Sequence, residues 1–422
     1  MKQLFYTLLI LLVGINVSAQ PTIYPAKASK EKIFILHANI HQGNGVVLKN
    51  TDIEIEHGKI IAIRANMSVP STEKNVINAT NKEVYPGLIL PATDIGLREI
   101  ASGVRGSNDY DEIGLNNANI RSIVAYNTDS KITNVLRENG ILLANIVPDG
   151  DEITGQSSVV QLDAWNWEDA VYKQDNGVHI HLPSYLPKAL NSRSFFSPNE
   201  NPQNMGEIIK ANELKVNRIK EFFREAKSYF QESVHTNINL KFEAIKGLFS
   251  KKQRLFIHAN DVKQMLKSVD FLTEFDFKIV IVGGLESYQI ATILAKYEIS
   301  VILNPMHELP STEDDDIDQP FKTPYILQKA GVLFAINDNH NQTRYRNLVF
   351  NAGTAATFGL TKEEALSAIT LNAAKILGID DKTGTLEVGK DANILISEGD
   401  ILDMKSNHII EAFIQGRKIN LD

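Results

Sequence analysis

Two histidines in the middle of the chain have a spacing that suits metal binding. His179 and His181 lie two residues apart in the apolar stretch GVHIHLP (177–183), which predicts a β-strand that ends at a proline. Side chains two apart on a strand point to the same face, and neutral imidazole is a ligand of zinc. With His258 the pair could form one site, but nothing in the sequence fixes which face lies inside the fold. We therefore expect a packed or solvent-facing pair that lies away from His258.

Carboxylates stand at the ends of two other predicted strands. Asp94 follows the apolar part of VYPGLILPATDIGLRE (84–99), and Asp338 ends VLFAIND (332–338). His258 likewise lies at the end of an apolar, strand-like stretch. Because the carboxyl ends of the strands in an α/β barrel face its active site, these three side chains should converge there. One option without a metal is that the two aspartates act as an acid–base pair.

The order of the predicted elements indicates an α/β barrel. Helix-like and strand-like stretches alternate from residue 130 to residue 377, an order typical of parallel strands joined by helices. Their number favours a closed barrel over an open sheet. Shorter strand-like stretches with glycine turns occupy both ends of the chain. Neither end has enough strands to bury a face alone, so residues 20–83 and 384–422 should form one β-rich domain beside a barrel over 84–383.

Several motifs resemble those of the amidohydrolase superfamily, and they occur in that family's order. They are PGLI at the first barrel strand, FIHAN at the fifth, IVGG at the sixth and FAIND at the eighth, followed by EEALSAITLNAAKILGI and GTLEVGKDANILI. The subgroup that they resemble is the imidazolonepropionase-like amidohydrolases. The resemblance implies a TIM-like (β/α)8 barrel with a split β-sandwich built from both chain ends. It also implies a divalent metal, usually zinc, that activates water to attack a C–N bond in a ring or side-chain amide.

The metal ligands of that family are only partly matched. Its first strand usually carries two histidines, where this chain has Ala92 and Asp94. Its sixth strand carries a histidine, where this chain has Gly283. His258 matches the fifth-strand histidine, and Asp338 matches the eighth-strand aspartate, which is both ligand and general base in the family. The resemblance thus implies that Asp94, His258 and Asp338 would be the metal ligands and Asp338 the catalytic base.

The eighth strand leaves one alternative open. A register shifted by one residue would place Asn339 at the position of the aspartate. Four polar residues near the predicted strand ends are candidates for lining a substrate pocket: Asn260, His307, Glu308 and His340.

The missing ligands decide which function the sequence predicts. Catalytic zinc sites usually have three protein ligands, and loss of donors weakens metal binding. We therefore expect an amidohydrolase-superfamily protein with impaired or lost catalysis, without tightly bound zinc, and with a pocket that still binds a small-molecule ligand. The alternative is an active hydrolase of cyclic amide-type substrates with a reduced single-metal site of Asp94, His258 and Asp338.

Composition and charge argue against several other classes of function. The net charge of −8 argues mildly against nucleic acid or an anionic membrane surface as a partner. The absence of cysteine excludes disulfides and thiolate metal sites. The sequence contains no P-loop, G-x-G-x-x-G, G-x-S-x-G or H-E-x-x-H pattern. The family resemblance is compatible with a homodimer.

Residues 1–19 are similar to a secretory signal peptide. Lys2 gives the positive start, residues 4–13 are apolar, and the small residues VSA at 17–19 predict cleavage before Gln20. An uncleaved anchor is the alternative, which the shortness of the apolar run disfavours. We expect an exported protein, periplasmic or extracellular, without membrane association after cleavage.

Overall fold

The structure, a computed structural model, describes residues 24–28, 31–99, 108–185, 205–232, 234–304, 306–310, 314–338 and 343–421. The signal segment predicted over 1–19 and the candidate residues Asn339 and His340 lie outside these ranges. Within the ranges, no helix is long and apolar enough to cross a membrane.

The strands of the described ranges are numbered here in chain order. They are β1 (Ile33–His41), β2 (Val47–Glu56), β3 (Lys59–Arg64), β4 (Val76–Asn78), β5 (Glu83–Pro86), β6 (Leu88–Thr93), β7 (Ile141–Ile146), β8 (Ile153–Gln161), β9 (Val171–His181), β10 (Arg254–Ala259), β11 (Ile279–Gly283), β12 (Ser300–Leu303), β13 (Phe334–Ile336), β14 (Ile394–Ser397), β15 (Ile409–Ile414) and β16 (Arg417–Lys418).

The helices are numbered in the same way. They are α1 (Ser122–Ala125), α2 (Lys131–Glu138), α3 (Trp167–Ala170), α4 (Met205–Tyr229), α5 (Leu240–Phe249), α6 (Val262–Phe275), α7 (Ala291–Lys296), α8 (Gln319–Ala330), α9 (Leu348–Thr357), α10 (Lys362–Ala368) and α11 (Leu371–Leu377), with 3₁₀ turns at Ser287–Ile290 and Tyr345–Asn347.

Strands from both ends of the chain form one sheet. Its order is β16-β15-β14-β5-β1-β2-β3, with β4 paired to β1. The two ends meet where β5 pairs antiparallel with β14, so that Tyr85 lies opposite Leu395. Ile35, Ile53 and Ile394 are fully buried in the apolar core of this sheet. The domain bounds given above stay a prediction, and β5 continues past residue 83 within this sheet.

The other sheet has eight strands in the order β6 to β13. Neighbouring strands are parallel except at β8, which is antiparallel to both β7 and β9. Short links explain this reversal, because a parallel crossover needs about a dozen residues, whereas only residues 147–152 and 162–170 join β8 to its neighbours. The predicted fold class, a TIM-like α/β barrel with a separate β-sheet region, is confirmed. The reversed β8 is a departure from regular (β/α)8 order.

The interior of the barrel is closed at one end by α11. Apolar side chains of the strands share a buried cluster with this helix; among them are Ile89, Leu143, Phe256 and Val282. Arg254, the first residue of β10, donates from Nη2 to the Lys375 carbonyl oxygen at 2.7 Å. Lys173, near the start of β9, donates from Nζ to the Gly378 carbonyl oxygen at 2.7 Å. Helix α11 therefore covers the amino-terminal end of the barrel, and the carboxyl ends of the strands lie at the opposite end.

Candidate active site

The first strand of the barrel is joined to the last at Ala92. Asn337, the residue after β13, donates from Nδ2 to the Ala92 carbonyl oxygen at 3.0 Å. The Ala92 N–H donates to Asn337 Oδ1 at 3.4 Å. Both residues are buried. A methyl group has no atom that could bind a metal, so at this position a side-chain amide and a backbone peptide hold the two strands together.

Asp94, the candidate ligand on the first strand, has a hydrogen-bond partner of its own. The hydroxyl of buried Tyr345 donates to Asp94 Oδ1, and Arg98 Nη1 lies 3.8 Å from Asp94 Oδ2. Burial raises the pKa of Asp94, and the Tyr345 hydroxyl and Arg98 partly oppose that shift. One oxygen of this carboxylate is therefore occupied by a phenol from the segment that follows β13.

Asp338 also bonds to the segment that follows β13. Its side chain is fully buried, and Asn351 of α9 donates from Nδ2 to Asp338 Oδ2 at 3.1 Å. Asn351 is itself fully buried. The two candidate carboxylates, Asp94 and Asp338, are thus each fixed by a neutral side chain from residues 345–351.

The backbone at Gly283 cannot carry the sixth-strand histidine of the family. Gly283 ends β11 with φ of +114°, a backbone conformation that residues other than glycine rarely adopt. An added Cβ would lie 2.4 Å from Asn260 Oδ1 and 2.9 Å from the Ala259 carbonyl oxygen. Asn260 could rotate away, but the Ala259 oxygen belongs to the backbone of β10. The backbone conformation at Gly283 therefore disfavours a histidine at this position.

His258 lies against the histidine pair of β9, so the expectation that the pair lies away from it is wrong. His258 and His181 are in register on neighbouring parallel strands. Their rings are stacked with centroids 4.1 Å apart, and His179 Nδ1 lies 3.0 Å from His258 Nε2. The parallel pairing of β9 with β10, which fixes the face of His179 and His181, is the information that the sequence did not contain.

The three imidazoles are neutral at ordinary pH. Burial, together with nearby His181, lowers the pKa of fully buried His179 to about 3. Burial and the two neighbouring imidazoles lower the pKa of His258 well below its usual value. Burial also lowers the pKa of His181, although Asp149 and Asp151 oppose it. Each ring therefore keeps one nitrogen that can accept a hydrogen bond or bind a metal.

The candidate pocket-lining residues His307, Glu308 and Asn260 each have different neighbours. His307 is stacked on Phe350 of α9 with ring centroids 4.4 Å apart, and its Nε2 lies 3.1 Å from Thr354 Oγ1. Burial and nearby Arg344 lower its pKa. Glu308 is half-buried, and Asn260 is exposed beside Gly283. Their role in lining a pocket stays a prediction.

The side chains present do not fit the metal site of the family. Ala92 and Gly283 offer no donor, and Asp94, His258 and Asp338 each bond to a different residue. Within the described ranges, no group of three or more His, Asp or Glu side chains is arranged to hold a metal ion. The role of these three residues as ligands of one ion stays a prediction.

Sequence comparison finds similarity to amidohydrolases. The profile of the Amidohydrolase family matches residues 333–419. The imidazolonepropionase of Thermoplasma volcanium is 25% identical over 379 residues, which are 86% of this chain and 88% of that protein. The imidazolonepropionase of Mesorhizobium japonicum is 40% identical over 74 residues, which are 17% of this chain and 18% of that protein.

Structure comparison gives the same fold. The crystal structure of an amidohydrolase from Thermotoga maritima MSB8 superposes with a TM-score of 0.79 at 24% identity, covering 92% of this chain and 99% of that one. The chain is thus similar to amidohydrolases in the profile of its last barrel strand and carboxyl-terminal part, in sequence over most of its length, and in fold. That family generally uses divalent metals.

Three residues of this region could not be found from the sequence alone. Asn337, Tyr345 and Asn351 hold the first strand and the two aspartates. Asn337 lies within the FAIND motif, but nothing in that motif indicates its contact with Ala92, and Tyr345 and Asn351 lie outside the motifs. The bond between Tyr345 and Asp94 spans 251 residues. Only an alignment showing that these positions change together would have paired them.

Proposed function

We propose that this chain is an exported amidohydrolase-superfamily protein in which hydrolysis at the family's metal site is impaired or lost. The pocket at the carboxyl ends of the strands is kept for a small-molecule ligand. One observation carries the proposal: with φ of +114° and the Ala259 oxygen 2.9 Å from an added Cβ, Gly283 has no room for the sixth-strand ligand.

The hydrogen bonds around the missing ligands support the same conclusion. In the family a metal connects the first, fifth, sixth and eighth strands. In this chain, Asn337 connects the eighth strand to Ala92 of the first, and Tyr345 binds Asp94. A buried polar group is costly unless it is paired. These bonds therefore stabilise the region in a form that needs no ion between Asp94 and Asp338.

Activity measurements test the proposal. The mature protein is assayed with imidazolonepropionate and other cyclic amides, with and without added zinc or manganese, beside the Asp338→Asn variant. We expect no hydrolysis above background, no response to metal and no difference between the two proteins. Metal-dependent turnover that is lost in both Asp338→Asn and Asp94→Asn would instead support the reduced single-metal hydrolase.

Export is the part of the proposal supported by residues 1–19. Their charged start, apolar run and small residues before Gln20 are typical of a signal peptide. Intact-mass analysis of protein recovered from the periplasm or medium should give a chain beginning at Gln20. A mass that includes the first residues would indicate an anchor instead. The net charge of −8 supports a small-molecule ligand rather than nucleic acid, and a homodimer remains part of the proposal.

A further inference from the structure

Two of the three histidines at the ends of β9 and β10, His179 and His181, are not accounted for by the family's metal site. We propose that His179, His181 and His258 bind one divalent transition-metal ion of the zinc, cobalt and nickel class. This site would be different from the ligand set of the family, with which it shares only His258. The proposal does not depend on whether the chain hydrolyses amides.

Strand pairing places the three rings at one point of the barrel. His181 and His258 are in register across the parallel pair of β9 and β10, and His179 is two residues before His181. Residues two apart share a face, so all three side chains lie on the same side of the sheet. This face also carries Phe256, on which His179 is stacked at 4.5 Å, within the interior of the barrel.

One pair of nitrogens is already close to the spacing that a metal requires. His179 Nδ1 and His258 Nε2 are 3.0 Å apart. Two imidazole nitrogens bound to one tetrahedral zinc at about 2.0–2.1 Å would lie roughly 3.3 Å apart. These two nitrogens share a hydrogen bond, and an ion bound to both would lie to one side of the line between them and take the place of that bond.

The cluster has more ring nitrogens than hydrogen-bond partners. His179 Nε2 and His181 Nε2 are buried without a partner, and His179 is 0% exposed. Asp149 Oδ1 lies 3.6 Å from His181 Nε2, which is too far for a hydrogen bond. Unpaired buried polar atoms are rare in folded proteins and call for a bound group or a functional role.

One ring has to move before the three nitrogens can meet. His181 is stacked on His258 with an interplanar angle of 16°, so the lone pairs of these two rings lie in nearly parallel planes and do not meet at one point. Rotation of His181 out of the stack would turn one of its nitrogens toward the His179–His258 pair. The His181 side chain is 34% exposed, and its Nε2 lies 3.6 Å from Asp149 Oδ1 without a hydrogen bond, so rotation of the ring gives up no hydrogen bond at this nitrogen.

Charge and ligand chemistry set the kind of ion. The carboxylates of Asp149 and Asp151 act on His181 and would offset part of the positive charge of a bound cation. Imidazole nitrogen suits zinc, nickel and copper, whereas magnesium and calcium prefer oxygen. The site should therefore take up cobalt or zinc and ignore magnesium.

Cobalt titration of the chelator-treated full chain tests the site. We expect uptake of one Co²⁺ per chain by elemental analysis, with a visible absorption band of cobalt bound to nitrogen. His181→Ala should weaken binding on the order of 100-fold or more, because loss of a direct ligand exceeds the 10–100-fold cost of losing a supporting contact. His408→Ala should leave binding unchanged, because His408 is a surface histidine, 69% exposed. Asp94→Asn and Asp338→Asn show whether the ligand positions of the family take part in binding.

A second variant keeps the test valid if a substitution disturbs the fold. His179→Phe preserves an aromatic ring on Phe256 and removes the nitrogens, and His181→Ala alters a half-exposed position. Circular dichroism and thermal melting establish that each variant is folded, and metal should raise the melting temperature of the unmodified protein but not of the two histidine variants. Binding lost in Asp338→Asn but kept in His181→Ala would overturn the proposal, as would uptake equal in all variants or no uptake at all.

Measurements of hydrolysis show which of the two proposals fails, the three-histidine site or the proposed loss of catalysis. Cobalt bound through His181 without turnover supports both proposals. Turnover that needs the metal and disappears in His181→Ala supports the three-histidine site and overturns the loss of catalysis. Absence of both binding and turnover overturns only the three-histidine site.

Discussion

Asn337 joins the last strand of the barrel sheet to the first through both polar groups of the Ala92 peptide. Its Nδ2 donates to the Ala92 carbonyl oxygen at 3.0 Å, and its Oδ1 accepts from the Ala92 N–H at 3.4 Å. Both residues are buried, so water cannot replace these bonds. The contact lies where the resemblance places a histidine on the first strand, and it holds this strand end to the last strand by hydrogen bonds.

Removal of the Asn337 amide should destabilise the barrel. Asn337→Ala leaves the Ala92 N–H and carbonyl buried without partners, at a cost of about 1–3 kcal/mol. Urea unfolding followed by circular dichroism measures the change. Asn44→Ala is the matched control, because Asn44 is exposed and bonds to Glu387 at the surface, and it should cost less than about 0.5 kcal/mol. Equal losses in the two variants would contradict this role of Asn337.

Gly283 should resist substitution for two separate reasons. Gly283→Ala strains a backbone at φ of +114° and brings Cβ to 2.9 Å from the Ala259 oxygen. Gly389→Ala is the control for strain alone, since Gly389 has φ of +92° and no atom within 4 Å of an added Cβ. Strain of this kind costs about 1–3 kcal/mol, and Gly283→Ala should lose more stability than Gly389→Ala in the same denaturation experiment. A tolerated Gly283→His would remove the main support for the proposed loss of catalysis.

His41 should make stability depend on pH where the sheet built from both chain ends contacts α10. Its Nδ1 lies 2.6 Å from Glu363 Oε1 and its Nε2 3.0 Å from Glu83 Oε2, and the ring is stacked on Tyr85. Burial by itself would lower the pKa of His41, but the hydrogen bonds and charges of Glu363 and Glu83 outweigh it and raise that pKa.

The sign of this pH effect follows from the raised pKa. The folded protein holds the His41 proton more tightly than the unfolded chain, whose histidine has a pKa of about 6.5. The stabilisation is therefore complete below about pH 6.5 and is lost as the pH rises through the higher pKa of the folded state. Melting temperatures from pH 5 to pH 9 should show this loss in the unmodified protein and not in His41→Gln, with His408→Gln as the control. A parallel dependence in His41→Gln would contradict the assignment.

The sequence predicted the order of the barrel strands but not the pairing that makes the candidate site. Motifs sufficed to place Asp94, His258 and Asp338 at or just after the ends of barrel strands, because strand ends are marked by apolar runs and turn residues; their role as one site stays a prediction. The direction of β8 and the inward orientation of His179 depend on how the strands pair. Side chains alternate between the two faces of a strand, and the sequence alone does not show which face points into the barrel. The partners Tyr345 and Asn337 lie 251 and 245 residues from the atoms they bind, and a local pattern carries no information on such distant contacts.

Tyr345 and Asp94 should be energetically coupled. The Tyr345 hydroxyl is the donor to Asp94 Oδ1, and burial together with Asp94 raises the pKa of Tyr345, so the phenol stays protonated. Tyr345→Phe removes the donor and leaves a partly buried carboxylate with only the longer contact to Arg98 at 3.8 Å, an expected loss of about 1.5–3 kcal/mol.

A double-mutant cycle isolates this bond from the other effects of each substitution. Tyr345→Phe should cost much less stability in an Asp94→Ala background than in the unmodified protein, because the carboxylate that needs the donor is absent. The free energies of unfolding of the four proteins give the coupling energy. Additive losses would mean that the phenol does not stabilise Asp94, and the carboxylate would then be available to a metal ion or ligand at the end of the first barrel strand.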